Sequence, residues 1–222
     1  MGLAHSPRIV TNGLVLCLDA GNTKSYPGSG TTWTDISRRG NNGTLTNGPT
    51  FSSANKGSIV FDGVNDRVDI PNTVDTRFSH TSSWTFSIFF KVIKLGSYPR
   101  IFSLGQDVNY GLGMWTESGQ NIYVKHNNTQ QIVCPANYGT IKNVTLVYPG
   151  SGSMLGYENA GSPVTLIALT GTDTTTPLKF AVDLNNVSTH NMNMYCAIKY
   201  NRALSAAEIA QNFNALRGRF GI

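Results

Sequence analysis

The stretch "SWTFSIFFKV" at residues 83–92 decides the fold class. The apolar side chains that recur at every second position are Trp84, Phe86, Ile88, Phe90 and Val92. Successive side chains of a β-strand point to opposite faces, so this alternation predicts a long strand with one wholly apolar face.

Strand patterns recur on both sides of this stretch. "GLVLCLDAG" (13–21) predicts a strand buried on both faces, and "SIVFDGVNDRVDIP" (58–71) predicts a hairpin that turns at 63–66. Further strand patterns lie at 100–105, 110–115, 121–126, 131–136, 143–148, 163–169, 177–182 and 192–200. About a dozen strands with short connections predict an all-β fold, a two-sheet antiparallel jelly-roll sandwich.

One short C-terminal α-helix, at about 205–216, is predicted from "YNRALSAAEIAQNFNALRGRF" (200–220). Ser205 and Glu208 have the spacing of a capping box. The residues of its apolar face are Ile209, Phe213 and Leu216. A helix of this length is marginal alone, so we expect it to lie over an edge or end of the sandwich.

The 222 residues fit one domain, 13–222, preceded by an N-terminal arm at 1–12. Chain ends are ordered only where something holds them, so the arm is expected to dock on a partner. Charged residues make up only 13% of the chain. The resulting neutral, polar surface suits a protein surrounded by copies or partners.

Composition also argues against several classes of partner. The net charge is +5, but Lys and Arg are scattered, so no nucleic-acid partner is expected. No apolar run approaches the roughly 20 residues of a membrane span. Cys17, Cys134 and Cys196 lack metal-site spacing, which predicts buried free thiols in a protein made in a reducing cytoplasm.

The segments "GLVLCLDAGNTKSYPGSGTTWTD", "SIVFDGVNDRVDIP", "WTFSIFFKV" and "YNRALSAAEI" carry a family resemblance. Together they resemble the laminin-G-like branch of the concanavalin A-like lectin/glucanase superfamily, in the version found in virion proteins of tailed phages of marine bacteria and cyanobacteria. The resemblance runs from Gly13 to Phe213. It implies a jelly roll whose relatives bind glycans, mediate adhesion, hydrolyse glucans or build virions.

We therefore expect a non-enzymatic structural component of a phage virion, either a capsid decoration or a tail- or fibre-associated protein. The alternative is a glycan-binding adhesin that contacts host surface polysaccharide, and a glycoside hydrolase is the remote alternative. Expected partners are other virion proteins, copies of the chain itself and host-surface glycans. The expected location is the virion surface, after synthesis in the bacterial cytoplasm. Candidate docking cations are Arg38, Arg39, Arg67, Arg202, Arg217 and Arg219.

No catalytic residue is predicted. A glycoside hydrolase needs two carboxyl groups about 5–9 Å apart. The glutamates are Glu117, Glu158 and Glu208, and none of them has an acid two residues later. Asp62, Asp66 and Asp69 cluster around a turn, where aspartate is a common turn former.

No cofactor is expected. The resemblance allows one Ca²⁺, for which the residues weighed are Asp19, Asn22, Asp35, Asp107 and Asn109, but their spacing favours turn chemistry. Sugar binding needs an aromatic ring that stacks on a pyranose, and the candidates are Tyr110, Trp115, Tyr98, Tyr26 and Trp33. Anchoring of loops to the core is the competing interpretation, favoured for Trp33 and evenly balanced for Tyr110 and Trp115.

Overall fold

The computed structural model describes residues 7–94, 99–105, 111–117, 121–171, 173, 175–183, 185–186 and 189–222. This described part of the chain is a sandwich of two antiparallel sheets with one C-terminal α-helix. The predicted fold class is confirmed.

Sheet A contains the long strand predicted at residues 83–92. Its strands are β1 (Leu14–Asp19), β4 (Thr50–Ser52), β5 (Ser58–Asp62), β7 (Trp84–Lys94), β12 (Ile141–Tyr148), β13 (Ser153–Glu158), β14 (Val164–Ala168) and β16 (Asn191–Tyr200). They are ordered β14-β13-β12-β7-β16-β5-β4. β16 is the central strand, because it pairs with β7 on one side and with both β1 and β5 on the other.

Sheet B forms the second layer. Its strands are β2 (Thr32–Trp33), β3 (Gly43–Thr46), β6 (Arg67–Ile70), β8 (Arg100–Leu104), β9 (Leu112–Thr116), β10 (Asn121–His126), β11 (Thr129–Pro135) and β15 (Leu178–Phe180). They are ordered β11-β10-β9-β8-β15-β6-β3-β2. A single 3₁₀ turn, Ala54–Lys56, is described between the strands of sheet A.

The predicted hairpin at 58–71 is wrong, because its two strands belong to different sheets. β5 pairs with β4 and β16 in sheet A, whereas β6 pairs with β3 and β15 in sheet B. The Asp66 carboxylate accepts a hydrogen bond from the Asp62 backbone N–H at 3.0 Å, and Asp62 Oδ1 accepts one from Val64 N–H at 2.7 Å. These bonds hold an arch that carries the chain across the sandwich, so the turn residues join two layers instead of two neighbouring strands.

Aromatic rings fill the space between the sheets. The predicted apolar face of β7 lies in this core, and every one of its five side chains is buried. Phe78 packs edge-on against Trp84 at 4.7 Å and Phe86 at 5.2 Å between ring centroids, and stacks on Phe102 of sheet B at 5.8 Å. Phe78 thus joins the two layers directly.

An irregularity in β16 decides which of its side chains enter the core. Its register with β7 shifts between Met194 and Cys196. Met194 and Ala197 lie in the core between the sheets, whereas Ile198 and Tyr200 lie in a second apolar cluster outside sheet A. An extra residue reverses the alternation of a strand beyond it.

The helix α1 (Ala206–Arg217) lies on the outer face of sheet A. The capping box is confirmed, since Ser205 Oγ accepts from the Glu208 backbone N–H and the Glu208 side chain accepts from that of Ser205. The Phe213 ring stacks on that of Phe89, from the middle of β7, at 6.3 Å. The expectation that the helix covers an edge or end is therefore wrong: Phe89 makes the outer face of sheet A apolar as well, and that face needs a cover.

Residues 7–12 of the N-terminal arm lie along this helix. The Val10 N–H donates to Asn212 Oδ1 at 2.8 Å, and the Tyr200 hydroxyl donates to the Val10 carbonyl at 2.9 Å. Gln211 and Arg202 donate to the carbonyls of Arg8 and Asn12. These contacts are internal to the chain; residues 1–6 lie outside the described residues, and docking of the arm on a partner stays a prediction.

The three cysteines are buried free thiols, as predicted. Burial raises the pKa of Cys17 and of Cys134 to about 12, so both are protonated and unreactive at neutral pH. No described helix combines the length and the apolar character that a membrane span requires.

Truncation of Phe213 tests the packing of the helix α1 on sheet A. Phe213→Ala should lower the free energy of unfolding by about 3–5 kcal/mol, because it leaves a cavity over Phe89. Urea unfolding followed by tryptophan fluorescence measures this. The control is Asn214→Ala, an exposed residue of the same helix that should change stability by at most about 0.5 kcal/mol. Equal effects of the two variants would contradict the packing described.

Candidate functional site

A polar cavity of about 410 Å³ opens at one rim of the sandwich, where β7 begins and β16 ends. We call it the rim cavity. Its lining residues are Val74, Asp75, Arg77, Ser79, Thr81, Ser82, Ser83, Trp84, Asp173, Lys199 and Asn201. Carboxylates, cations, hydroxyls and an amide therefore share one concave surface, the arrangement expected of a small-ligand site.

The loop 71–83, which forms most of this wall, is held in place by hydrogen bonds. The Thr76 hydroxyl donates to the Pro71 carbonyl at 2.6 Å, and the Trp84 indole N–H donates to the Ser79 carbonyl at 3.0 Å. From the opposite wall, Asp173 Oδ1 accepts the His80 backbone N–H at 2.7 Å. The cavity is thus shaped before any ligand arrives.

Lys199 enters the rim cavity from β16 and is 2% exposed. Its ammonium donates to the Asp75 backbone carbonyl at 2.8 Å and lies 5.2 Å from the centroid of the Phe78 ring. Burial lowers its pKa from 10.5 to about 8, although the nearby Asp75 carboxylate acts in the opposite direction. The side chain is therefore still mostly charged at neutral pH.

The structure buries the described candidates for sugar stacking. Trp33 is 0% exposed, Trp115 2% and Tyr26 3%. A sugar that stacks from solvent needs an accessible ring face, and none of the three provides one in this arrangement. Tyr26 instead packs against Phe51 at 5.7 Å and donates its hydroxyl to the Gly30 carbonyl. Tyr98 and Tyr110 lie outside the described residues.

Trp115 is covered by cations on the outer face of sheet B. The Arg100 guanidinium lies 4.2 Å and the Lys125 ammonium 5.4 Å from the centroid of its ring. Both cations come from strands that flank β9, where Arg100 and Tyr123 pair directly with Trp115. Because Arg100, Trp115 and Lys125 come from three different strands, the charge pattern of the sequence does not indicate this cluster.

The six candidate docking cations divide into two groups. Arg67 pairs with Asp69, Arg202 with Glu208, and Arg219 with Asp19 in a bidentate contact of 2.6 and 2.8 Å. The first pair lies within β6, the second holds the start of α1, and the third ties the chain after α1 to the end of β1. Arg38, Arg39 and Arg217 are exposed, and docking through them stays a prediction.

The described residues weighed for calcium serve as turn formers. The Asp35 carboxylate accepts backbone N–H groups of Cys17, Ser37 and Asn41 at 2.9–3.0 Å. Asp19 binds Arg219, and Asn22 accepts from the Lys24 backbone. Asp107 and Asn109 lie outside the described residues. Within the described part of the chain, no cluster of three His, Cys, Asp or Glu side chains is arranged to hold a metal.

The chain is similar in structure to several large binding proteins and enzymes. It matches the binding domain of Paraclostridial mosquitocidal protein 1 with a TM-score of 0.75 and 15% identity, over 92% of this chain and 52% of that one. It matches a Trypanosoma rangeli sialidase mutant that displays trans-sialidase activity with a TM-score of 0.72 and 13% identity, over 96% and 34%. It matches the botulinum neurotoxin serotype D binding domain with a TM-score of 0.70 and 12% identity, over 92% of this chain and 52% of that one.

At these identities the likeness defines the fold alone. The chain is a two-sheet β-sandwich that spans between about a third and half of the length of these matched structures. No protein-family model and no curated protein sequence matches it.

The burial of Lys199 predicts a distinct pH dependence of stability. The unfolded side chain keeps its proton up to about pH 10.5, whereas the folded one loses it near pH 8. Stability should therefore rise through this interval, by on the order of 3 kcal/mol relative to Lys199→Met, which does not titrate there. Urea unfolding of both proteins at pH 7–11 measures the difference. Parallel curves would show that the ammonium is not buried as described.

Proposed function

We propose that the chain is a non-enzymatic carbohydrate-binding domain and that the rim cavity is its binding site. The carrying observation is a preformed cavity of about 410 Å³ in which polar or charged side chains line the space beside Val74 and Trp84. Cavities of roughly 300–1,000 Å³ hold small ligands, and a few placed polar groups orient them. Saccharides suit this lining because each sugar hydroxyl can both donate and accept hydrogen bonds.

The carboxylates of the cavity are assigned to binding. Asp75 and Asp173 line the same space, so they supply acceptors for two sugar hydroxyls. Hydrolysis would require one of them to act as an acid while the other stays ionised. Asp173 Oδ1 is already engaged by the His80 backbone N–H at 2.7 Å, so this carboxylate also holds the loop that forms the cavity wall. This supports a ligand that is held and not cleaved.

The expected place of this domain is a phage virion. The supporting observation is the sequence resemblance from Gly13 to Phe213, together with the low charge content of the chain. In this second proposal the sandwich is a capsid decoration or a part of a tail or fibre, surrounded by other virion proteins and its own copies. Its rim cavity would face host-surface polysaccharide.

Removal of Asp75 tests the binding site. The parent should retain glycans on an array, and Asp75→Ala should weaken the best of them at least tenfold, because a hydroxyl loses its acceptor. The matched control is Lys125→Ala on the outer face of sheet B, which should bind as the parent does. Loss of glycan binding in Lys125→Ala alone would place the site on the outer face of sheet B. If the parent protein releases reducing ends from a glycan and Asp173→Asn does not, the chain is an enzyme.

Copy counting tests the virion proposal. Quantitative mass spectrometry of purified phage particles should detect the chain at a fixed number per particle, because a structural component is built in stoichiometrically. Hundreds of copies indicate a head decoration, and tens or fewer indicate a tail or fibre. Absence from washed particles whose genome encodes the chain would contradict the proposal.

A further inference from the structure

Lys199 is a buried cation with too few partners. An ammonium group has three N–H donors, and the structure gives this one a single acceptor, the neutral carbonyl of Asp75 at 2.8 Å. Among the described residues, no carboxylate forms an ion pair with Lys199. Buried lysines are rare unless they are paired, because removal of a charge from water is costly.

Two other cations of the described residues follow that rule. Lys142 is 3% exposed, nearly as buried as Lys199, and its ammonium contacts the Glu158 carboxylate. The half-buried Arg219 likewise has a bidentate partner in Asp19. Lys199 therefore differs from Lys142 and Arg219 in having no carboxylate partner, and it lines the rim cavity.

A second cation with an unpartnered donor belongs to the same cavity wall. Arg77 is a lining residue of the rim cavity, and its Nε–H is buried without a hydrogen-bond partner. Two positive groups with unused donors on one concave surface form a site for an anion. A planar carboxylate suits an arginine fork.

The other groups in the cavity exclude a bare inorganic anion as the best ligand. Asp75 and Asp173 would repel such an ion, but they accept hydrogen bonds from hydroxyls. The hydroxyls of Ser79, Thr81 and Ser82 add donors and acceptors around them. A ligand that satisfies all of these groups carries both a carboxylate and several hydroxyls.

We propose that the rim cavity selects an acidic sugar, whose carboxylate pairs with Lys199 and Arg77 while its hydroxyls donate to Asp75 and Asp173. This inference rests on the proposed carbohydrate-binding function and specifies its ligand class. It also assigns Lys199 as the residue that discriminates an acidic sugar from its neutral counterpart.

The test compares each acidic sugar with a neutral twin. The probes are uronic-acid and sialic-acid oligosaccharides and the same compounds with the carboxyl group reduced to an alcohol, titrated into the full chain by calorimetry. At least one acidic probe should bind tenfold or more tightly than its reduced twin. Lys199→Met should abolish that preference, and Arg77→Gln should weaken it.

Each outcome decides between the claims. Equal affinity for acid and twin, unaffected by Lys199→Met, overturns the acidic-sugar inference and leaves carbohydrate binding intact. An acid preference that survives both variants places the anion site elsewhere and also overturns it. No binding of either probe class, with an empty glycan array, overturns the proposed function and this inference together. Unchanged circular dichroism and melting temperature of Arg77→Gln guard against a folding defect.

Discussion

The hydrogen-bonded ladder of β16 is the constraint on which the rest of the molecule depends. β16 lies between β7 on one side and β1 and β5 on the other, so its register fixes sheet A. Beyond the register shift near Tyr195, successive side chains of β16 lie on opposite faces of sheet A. Ile198 and Tyr200 join the apolar cluster beneath the helix and the arm, and Lys199 enters the rim cavity between them. One strand thus seals one face of the sheet and supplies the cation of the candidate site.

The strands and the helix were predictable because their signals are local. Alternation defined β7, and the Ser205–Glu208 capping box marked the start of α1. The residues 63–66 predict a hairpin although they form an arch, because the same turn residues occur in both and only long-range strand pairing separates them. The shift near Tyr195 gave no signal either, since apolar residues occupy every second position of "MNMYCAIKY" without a break in alternation.

The candidate site was missed for a related reason. Its groups come from the loop 71–83, from Asp173 and from the end of β16, and no short motif joins them. Aromatic rings are the sequence feature most typical of sugar binding, yet Trp33 and Trp115 are buried by packing. The available signal was a lysine inside an apolar strand, "YCAIKY", because a charge at such a position needs either a partner or a function.

The central claim is that the Lys199 ammonium is kept without an ion-paired carboxylate, so that the carboxylate of a ligand can pair with it. A crystal structure of the chain soaked with the acidic oligosaccharide that binds best tests it most directly. The account predicts the sugar carboxylate in the rim cavity, within hydrogen-bond distance of Lys199 Nζ, with Asp75 and Asp173 on its hydroxyls. A sugar bound elsewhere, or an Asp75 carboxylate paired with Lys199 in a cavity that holds only water, would contradict it.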